Sequence, residues 1–223
     1  MAHRITRILI VDDHPIMRQG LITLLEGEDD LDVCGEAEDV PQALDAIEKL
    51  QPDFAIVDIS LKGRSGMDLL KHLKQQHPKL QVLVLSMYDE SLYAERALRY
   101  GARGYVMKQE AMDKVLAAVR RILAGEIYFS EKLSSATMRR LLDSASAGSD
   151  SPLSQLTDRE MEVFQRIGQG RSLREIAEEL CLSGKTIETY REHLKAKLGL
   201  QSSGELLRYA IERATDLEGN KPT

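Results

Sequence analysis

The chain has 223 residues, of which 43% are hydrophobic and 30% charged, and its net charge is -6. That length suits two modest domains, and the negative balance excludes a general polycation, so any nucleic-acid contact has to come from a local basic surface. The 2 cysteines, Cys34 and Cys181, lie far apart in apolar surroundings. This excludes a disulfide framework and a CxxC metal pair, and it fits a reducing compartment. The amino end leads straight into a strand-like run with no apolar signal core, and no stretch is long enough to span a bilayer. A cytoplasmic protein with no membrane partner is expected.

Ile8-Leu9-Ile10-Val11 is a short apolar run ending in Asp12-Asp13 and predicts a buried strand. Pro15 suits the first turn of a helix on which Ile16, Leu21, Leu24 and Leu25 are expected to share a face. Residues 31–35 read as a weaker, edge-like strand. Asp39 is expected to cap a helix through Leu50, with Ala43, Leu44, Ile47 and Leu50 inward. Phe54-Ala55-Ile56-Val57 follows Pro52 and runs directly into Asp58. An all-apolar run this short reads as a strand buried on both faces, which belongs in a parallel sheet covered by helices. A helix over 67–76, a strand over 82–86, a helix over 91–100 stopped by Gly101, a strand over 104–108 and a helix over 111–124 complete the pattern. Strand and helix alternate five times. The fold class is α/β, a five-stranded parallel doubly wound (flavodoxin-like) domain. No glycine-rich phosphate loop opens the first helix, so a dinucleotide site is not expected.

Polar groups gather at the carboxyl ends of these strands: Asp12-Asp13, Asp58, Ser86 and Lys108. Ligands in open α/β sheets sit at such ends. Three carboxylates crowd together only with a cation, and oxygen donors suit a hard divalent ion such as Mg²⁺. A carboxylate can also attack phosphorus and form an acyl phosphate, with Mg²⁺ and an ammonium offsetting the charge on the phosphoryl oxygens. Any one of these residues alone would read as a solvated loop residue; the set at successive strand ends reads as a site. His14 beside the acids is assigned to the helix start rather than to metal ligation.

Residues 5–128 resemble a response-regulator receiver domain. The resemblance rests on Ile10-Val11-Asp12-Asp13-His14-Pro15, on Val57-Asp58 with Gly66 beyond, on Leu85-Ser86-Met87, and on Gly104-Tyr105-Val106-Met107-Lys108. It implies that Asp58 accepts phosphate from a sensor histidine kinase. It implies that Asp12, Asp13, Asp58 and the backbone carbonyl of Ser60 serve Mg²⁺. Ser86 and Tyr105 match the family's switch pair, and Lys108 matches the lysine that pairs with the phosphoryl group. One departure stands out: Lys62 occupies the place of the usual Pro four residues after the acceptor, which adds a cation and loosens the loop.

Residues 129–153 read as a helical and flexible linker, with a helix over 132–142 and a small, polar stretch over 143–152. Residues 154–216 read as a small all-α domain of four helices. Thr157 with Glu160, Ser172 with Glu175 and Ser202 with Glu205 each have capping-box spacing. A short helix, the turn Cys181-Leu182-Ser183 and a helix over 185–198 make a helix-turn-helix.

This half resembles the LuxR-type DNA-binding domain through Leu156-Thr157-Asp158-Arg159-Glu160, Glu175-Ile176-Ala177, Lys185-Thr186-Ile187, Tyr190-Arg191 and Lys197-Leu198-Gly199. Joined to the receiver, it gives the NarL/FixJ architecture of a two-component transcription regulator rather than an enzyme. Lys185, Thr186, Arg191, Lys195 and Lys197 bring charge or donors for phosphates of double-stranded DNA. The resemblance puts Glu188, Thr189 and Glu192 on the base-facing side, where Glu can accept from cytosine N4. The competing reading pairs Glu188 with Arg191 and Glu192 with Lys195 along the helix. A homodimer is expected when active or on DNA; the resemblance makes Leu206 and Tyr209 of the last helix candidate contacts, the competing reading being that its apolar face only closes the small core, and RNA polymerase is the implied downstream partner. Two alternatives stay open. One is an Asp-nucleophile phosphohydrolase, which would need a substrate pocket. The other is a phosphorylation-independent DNA binder that uses the receiver for dimerisation.

Overall fold

The computed structural model describes residues 5–88, 90–110, 112–129 and 152–218. The chain divides into two compact units, residues 1–145 and 146–223.

The first unit alternates β1 (Thr6–Val11), α1 (Pro15–Glu26), β2 (Leu31–Ala37), α2 (Val40–Leu50), β3 (Phe54–Val57), α3 (Gly66–Gln76), β4 (Gln81–Ser86), α4 (Glu90–Arg99), β5 (Gly104–Met107) and α5 (Met112–Leu123). The sheet order is β2-β1-β3-β4-β5 and every pair is parallel, as the alternation predicts. The order reverses direction between β1 and β3, which opens a crevice at their carboxyl ends. Register then decides which residues meet there. Val11 pairs with Val57, so Asp12 and Asp58 leave the sheet side by side. Ser86 pairs with Met107, so Lys108 emerges next to Ser86.

β2 is two residues longer than the sequence suggests and holds its pairing to β1 through an irregularity at Cys34. Ile8 pairs with Val33 and Leu9 with Gly35, and the Cys34 thiol reaches the Ile8 carbonyl at 3.4 Å. The core on one face of the sheet is built from Ile8, Ile10, Phe54, Ile56, Leu83 and Val106 with Leu21, Leu25, Val119 and Ile122 from α1 and α5.

Two side-chain expectations need correction. Ile16 is 90% exposed, while Leu21 and Leu25 are fully buried. At roughly 100° per residue, Ile16 falls about 180° from Leu25, so it cannot share that face. On α2 the Asp39 cap forms, its carboxylate accepting from Gln42 N at 2.8 Å. Val40, Ala43 and Ile47 take the buried stripe there, with Leu44 and Leu50 only half-buried.

The second unit begins with a 3-10 turn, Pro152–Gln155, followed by α6 (Asp158–Gly168), α7 (Leu173–Glu179), α8 (Gly184–Leu198) and α9 (Ser203–Glu218). The boxes at Thr157/Glu160 and Ser172/Glu175 are both reciprocal. The third is half-formed: Ser202 Oγ accepts from Glu205 N at 3.2 Å, but Glu205 bonds Gln201 N at 2.8 Å. Cys181 takes the left-handed conformation (φ 53) in the turn between α7 and α8, and Ser183 caps α8 by accepting from Thr186 N at 3.1 Å.

Met161, Phe164, Ile176, Leu180, Ile187, Leu194, Leu206 and Ala210 form the core of this unit. A Cβ on Gly168 would lie 2.7 Å from the Ala210 carbonyl, so glycine is what lets α6 approach α9 this closely. Leu206 is 0% exposed and belongs to that core, which removes it as a dimer contact; Leu207 and Ile211 of α9 are 41% and 43% exposed. The Tyr209 ring packs 5.9 Å from that of Phe164. The helix expected over 132–142 and the polar stretch over 143–152 lie outside the described residues, except for Pro152. Among the described residues no helix is long and apolar enough to cross a membrane.

Candidate functional site

At the head of the sheet, Asp58 and Asp12 are each 1% exposed. Lys108 Nζ stands between them, 2.6 Å from Asp58 Oδ2 and 2.6 Å from Asp12 Oδ2. Burying two carboxylates is tolerable here because one ammonium serves both and a backbone N–H assists: Ser60 N donates to Asp58 Oδ1 at 2.8 Å. Burial pushes the Asp58 carboxyl above its ordinary value, the Asp12 charge adds to that, and Lys108 works against it. Burial alone would lower Lys108, but Asp58 and Asp12 together outweigh it and hold its ammonium above the usual lysine range.

The β3–α3 loop can carry Asp58 this close to α3 only because residue 66 is glycine. A Cβ there would lie 2.2 Å from the Asp58 carbonyl oxygen and 2.6 Å from Ile59 Cα.

Around this centre, His14 takes the N-cap position of α1 without a capping hydrogen bond from its side chain. Its ring turns back instead: Nδ1 is 2.8 Å from Asp13 Oδ1 and 3.2 Å from Asp12 Oδ1. Lys62 Nζ lies 3.9 Å from Asp13 Oδ2. Asp12, Asp13, His14 and Asp58 each offer a ligand atom, all within 4.8 Å of one another. Asp12 Oδ2 and Asp13 Oδ1 are buried and accept no aligned hydrogen bond. Buried carboxylate oxygens served only by ion pairs fit a hard, oxygen-seeking divalent cation.

Ser86 is 0% exposed and Tyr105 2%. Ser86 Oγ accepts from Tyr88 N at 3.1 Å, which leaves the hydroxyl proton free to turn toward the site. The Tyr105 ring lies inward, its hydroxyl donating to the Tyr88 carbonyl at 2.8 Å. The Tyr88 ring stacks on that of Tyr93 with centroids 5.1 Å apart.

In the second unit, α8 exposes Lys185, Glu188, Thr189, Glu192 and Lys197, with Thr186, Arg191 and Lys195 half-buried. Glu188 pairs with Arg191 at 2.9 Å and Glu192 with Lys195 at 2.8 Å. Lys197 turns inward, 2.7 Å from the buried Glu160 and 3.3 Å from the Gln155 carbonyl. Lys185 has no ion-pair partner among the described residues.

Residues 8–120 match the response regulator receiver domain, and residues 154–210 match the luxR family of bacterial regulatory proteins. The chain belongs to the response-regulator family. The oxygen regulatory protein NreC of Staphylococcus aureus is 32% identical to this regulator over 211 residues, which span 93% of this chain and 97% of NreC. A structure of RcsB from Salmonella typhimurium matches with a TM-score of 0.66 at 29% identity, covering 94% of this chain and 98% of RcsB. RcsB from Salmonella enterica serovar Typhimurium bound to the promoter rprA with phosphomimetic BeF3- matches at 0.62 and 29%, covering 93% and 99%. This regulator is therefore a two-component response regulator in which a receiver is followed by a LuxR-type DNA-binding domain, in a family that regulates transcription.

The structure brings Asp12, Asp13, Asp58, Ser60 and Lys108 into one cluster, with Ser86 at the neighbouring strand end. It spreads the α8 residues along one exposed helix and commits Lys197 to Glu160. Sequence reasoning missed two things. His14 faces the acids, and the only signal for that is its position directly after them. Along its length α6 carries buried charges, among them Glu160, Glu162 and Arg166. Arg166 Nε donates to Glu179 at 2.9 Å, and Arg159 pairs with Glu162 at 2.6 Å while also donating to the Leu180 carbonyl at 2.8 Å.

Proposed function

We propose that Asp58 is the phosphoacceptor of this regulator, that a sensor histidine kinase is the donor, and that the resulting acyl phosphate controls DNA binding by α8. The observation that carries this reading is the buried Asp58 carboxylate with Lys108 at 2.6 Å, at the switch point of the sheet. A phosphohistidine presents phosphorus to an Asp58 oxygen; the P–O bond forms as the P–N bond breaks, and the imidazole leaves. Lys108 stays within reach of a phosphoryl oxygen, and the Ser86 hydroxyl donates its free proton to another. Asp12, Asp13, Asp58 and the backbone carbonyl of Ser60 would hold Mg²⁺, which supplies charge neutralisation to the phosphoryl oxygens when bound.

Downstream, α8 enters the major groove. Lys185, Thr186, Arg191 and Lys195 contact phosphates, and Glu188, Thr189 and Glu192 face the bases. Lys197 acts through Glu160, holding the last turn of α8 in place rather than reaching DNA. RcsB forms dimers bound to DNA; a dimer on paired half-sites, acting on RNA polymerase, is the corresponding reading for this chain.

The test is intact-mass analysis after incubation with Mg²⁺ and acetyl phosphate, comparing the wild type with Asp58→Ala and measuring DNA affinity of both. One phosphoryl adduct, lost in the variant and accompanied by tighter DNA binding, is expected. An adduct with no change in DNA affinity would overturn the switch, and an adduct retained by Asp58→Ala would overturn the acceptor.

A further inference from the structure

The oxygens of the acid pair are not idle. Asp12 Oδ2 and Asp58 Oδ2 share Lys108, Asp12 Oδ1 and Asp13 Oδ1 meet His14, and Asp13 Oδ2 has Lys62 at 3.9 Å. These cations differ in how firmly they are held. The Lys108 side chain is 2% exposed and fixed between two acids, whereas that of Lys62 is 74% exposed. Its target, Asp13, is only 7% exposed, so the charge that Lys62 meets is poorly served by water. A four-carbon stem lets an exposed ammonium swing between a carboxylate and bulk solvent at little cost.

We propose that Lys62 is a built-in competitor for the divalent cation at Asp13, setting how much metal the site requires. The proposal rests on the Mg²⁺ reading given above. A divalent ion on Asp13 has to bind against the charge of the Lys62 ammonium, which stands 3.9 Å from Oδ2. Because Lys62 is exposed, its effect is bounded by what surface charges achieve, and salt screens it. Lys62 also lies in the loop that follows Asp58, so the competitor sits on the same segment as the acceptor.

The test is direct binding of Mg²⁺ to the full chain by calorimetry, repeated with Mn²⁺ by electron paramagnetic resonance. Neither readout depends on phosphoryl transfer. Lys62→Gln is expected to tighten both metals about three- to tenfold at low ionic strength, and the gain should shrink at ~0.5 M salt. Lys62→Glu is expected to bind more tightly still, and Lys62→Arg to remain within about twofold of the wild type. Position 62 is on the surface, so these variants keep the fold. Affinity in Lys62→Gln equal to or weaker than the wild type would overturn the proposal. Lys62→Arg binding as tightly as Lys62→Gln would also overturn it, because loop shape rather than charge would then be responsible. If neither metal binds the wild type or Lys62→Gln, the metal reading itself fails and takes the proposal with it.

Discussion

Replacing Lys108 by methionine removes the one ammonium shared by Asp12 and Asp58. Both contacts are 2.6 Å and all three side chains are 2% exposed or less, so the two carboxylates are left charged, buried and without their cation. Breaking a buried pair from one side costs about 3–5 kcal/mol. Asp58 limits that cost by protonating, at about 1.4 kcal/mol for each unit by which its carboxyl rises. We therefore expect the receiver to lose roughly 3 kcal/mol near neutral pH.

The pH dependence follows from the shifts. Asp58 is raised in the folded protein, chiefly by burial, so folding takes up a proton above the ordinary carboxylate range and stability falls as pH climbs through that window. Lys108 is also raised, so its contribution is complete below the ordinary lysine range and is lost only as pH climbs past its raised value. Between these limits the cost of Lys108→Met should grow with pH, from its smallest value where Asp58 is protonated. The assay is thermal unfolding of the full chain, following the receiver transition from about pH 4 to about pH 8. Asp58→Asn placed in the Lys108→Met background should recover most of the loss. A penalty that is flat with pH, or that Asp58→Asn does not relieve, would refute the shared-cation account.

Gly66→Ala forces a Cβ to within 2.2 Å of the Asp58 carbonyl oxygen, so the receiver should lose at least ~2 kcal/mol and take up acetyl phosphate at least about tenfold more slowly; wild-type melting and uptake would contradict the close-approach reading. Burial opposes the Glu160 charge, but Lys197 and the Thr157 N–H outweigh it and hold the carboxyl below its usual range. Its contribution is thus present above the ordinary carboxylate value and lost as pH falls through the lowered one. Glu160→Gln should cost the second unit about 1–2 kcal/mol near neutral pH, with the gap closing in acid; a gap that persists in acid would rule out the charge as its cause. Glu188→Ala should relax the preference for cytosine at one position in a selection from random DNA, whereas an unchanged site would leave Glu188 as the partner of Arg191 alone.

Much of the receiver is legible because its physics is local. Short apolar runs bounded by turns give the strands, and the polar residue that ends each run marks the side of the sheet where chemistry collects. The pairing of Val11 with Val57 turns that list of strand ends into neighbours, and no local pattern supplies such a register. Ile16 was misplaced because an apolar residue in the first turn says nothing about the angle at which the helix meets its sheet. The second unit hid more. Glu160, Glu162 and Arg166 are charged helix residues that are nonetheless buried: Arg166 meets Glu179 of α7, Glu160 meets Lys197 of α8, and Glu162 meets Arg159 on its own helix. Nor does any local pattern announce the pairing of Lys197 with Glu160, thirty-seven residues away. Leu206 illustrates the reverse, an apolar position on a helix with exposed apolar neighbours that itself closes a core.

Tyr88 donates its N–H to Ser86 and accepts the Tyr105 hydroxyl through its carbonyl. The Ser86 and Tyr105 side chains are therefore coupled through the backbone of a single residue. Neither can be displaced far without straining or breaking a bond to Tyr88, so intermediate arrangements with one moved and the other in place are penalised. A partly phosphorylated sample should then behave as a mixture of two forms, with tyrosine resonances split into two sets whose ratio tracks the adduct, rather than as one population drifting smoothly between them.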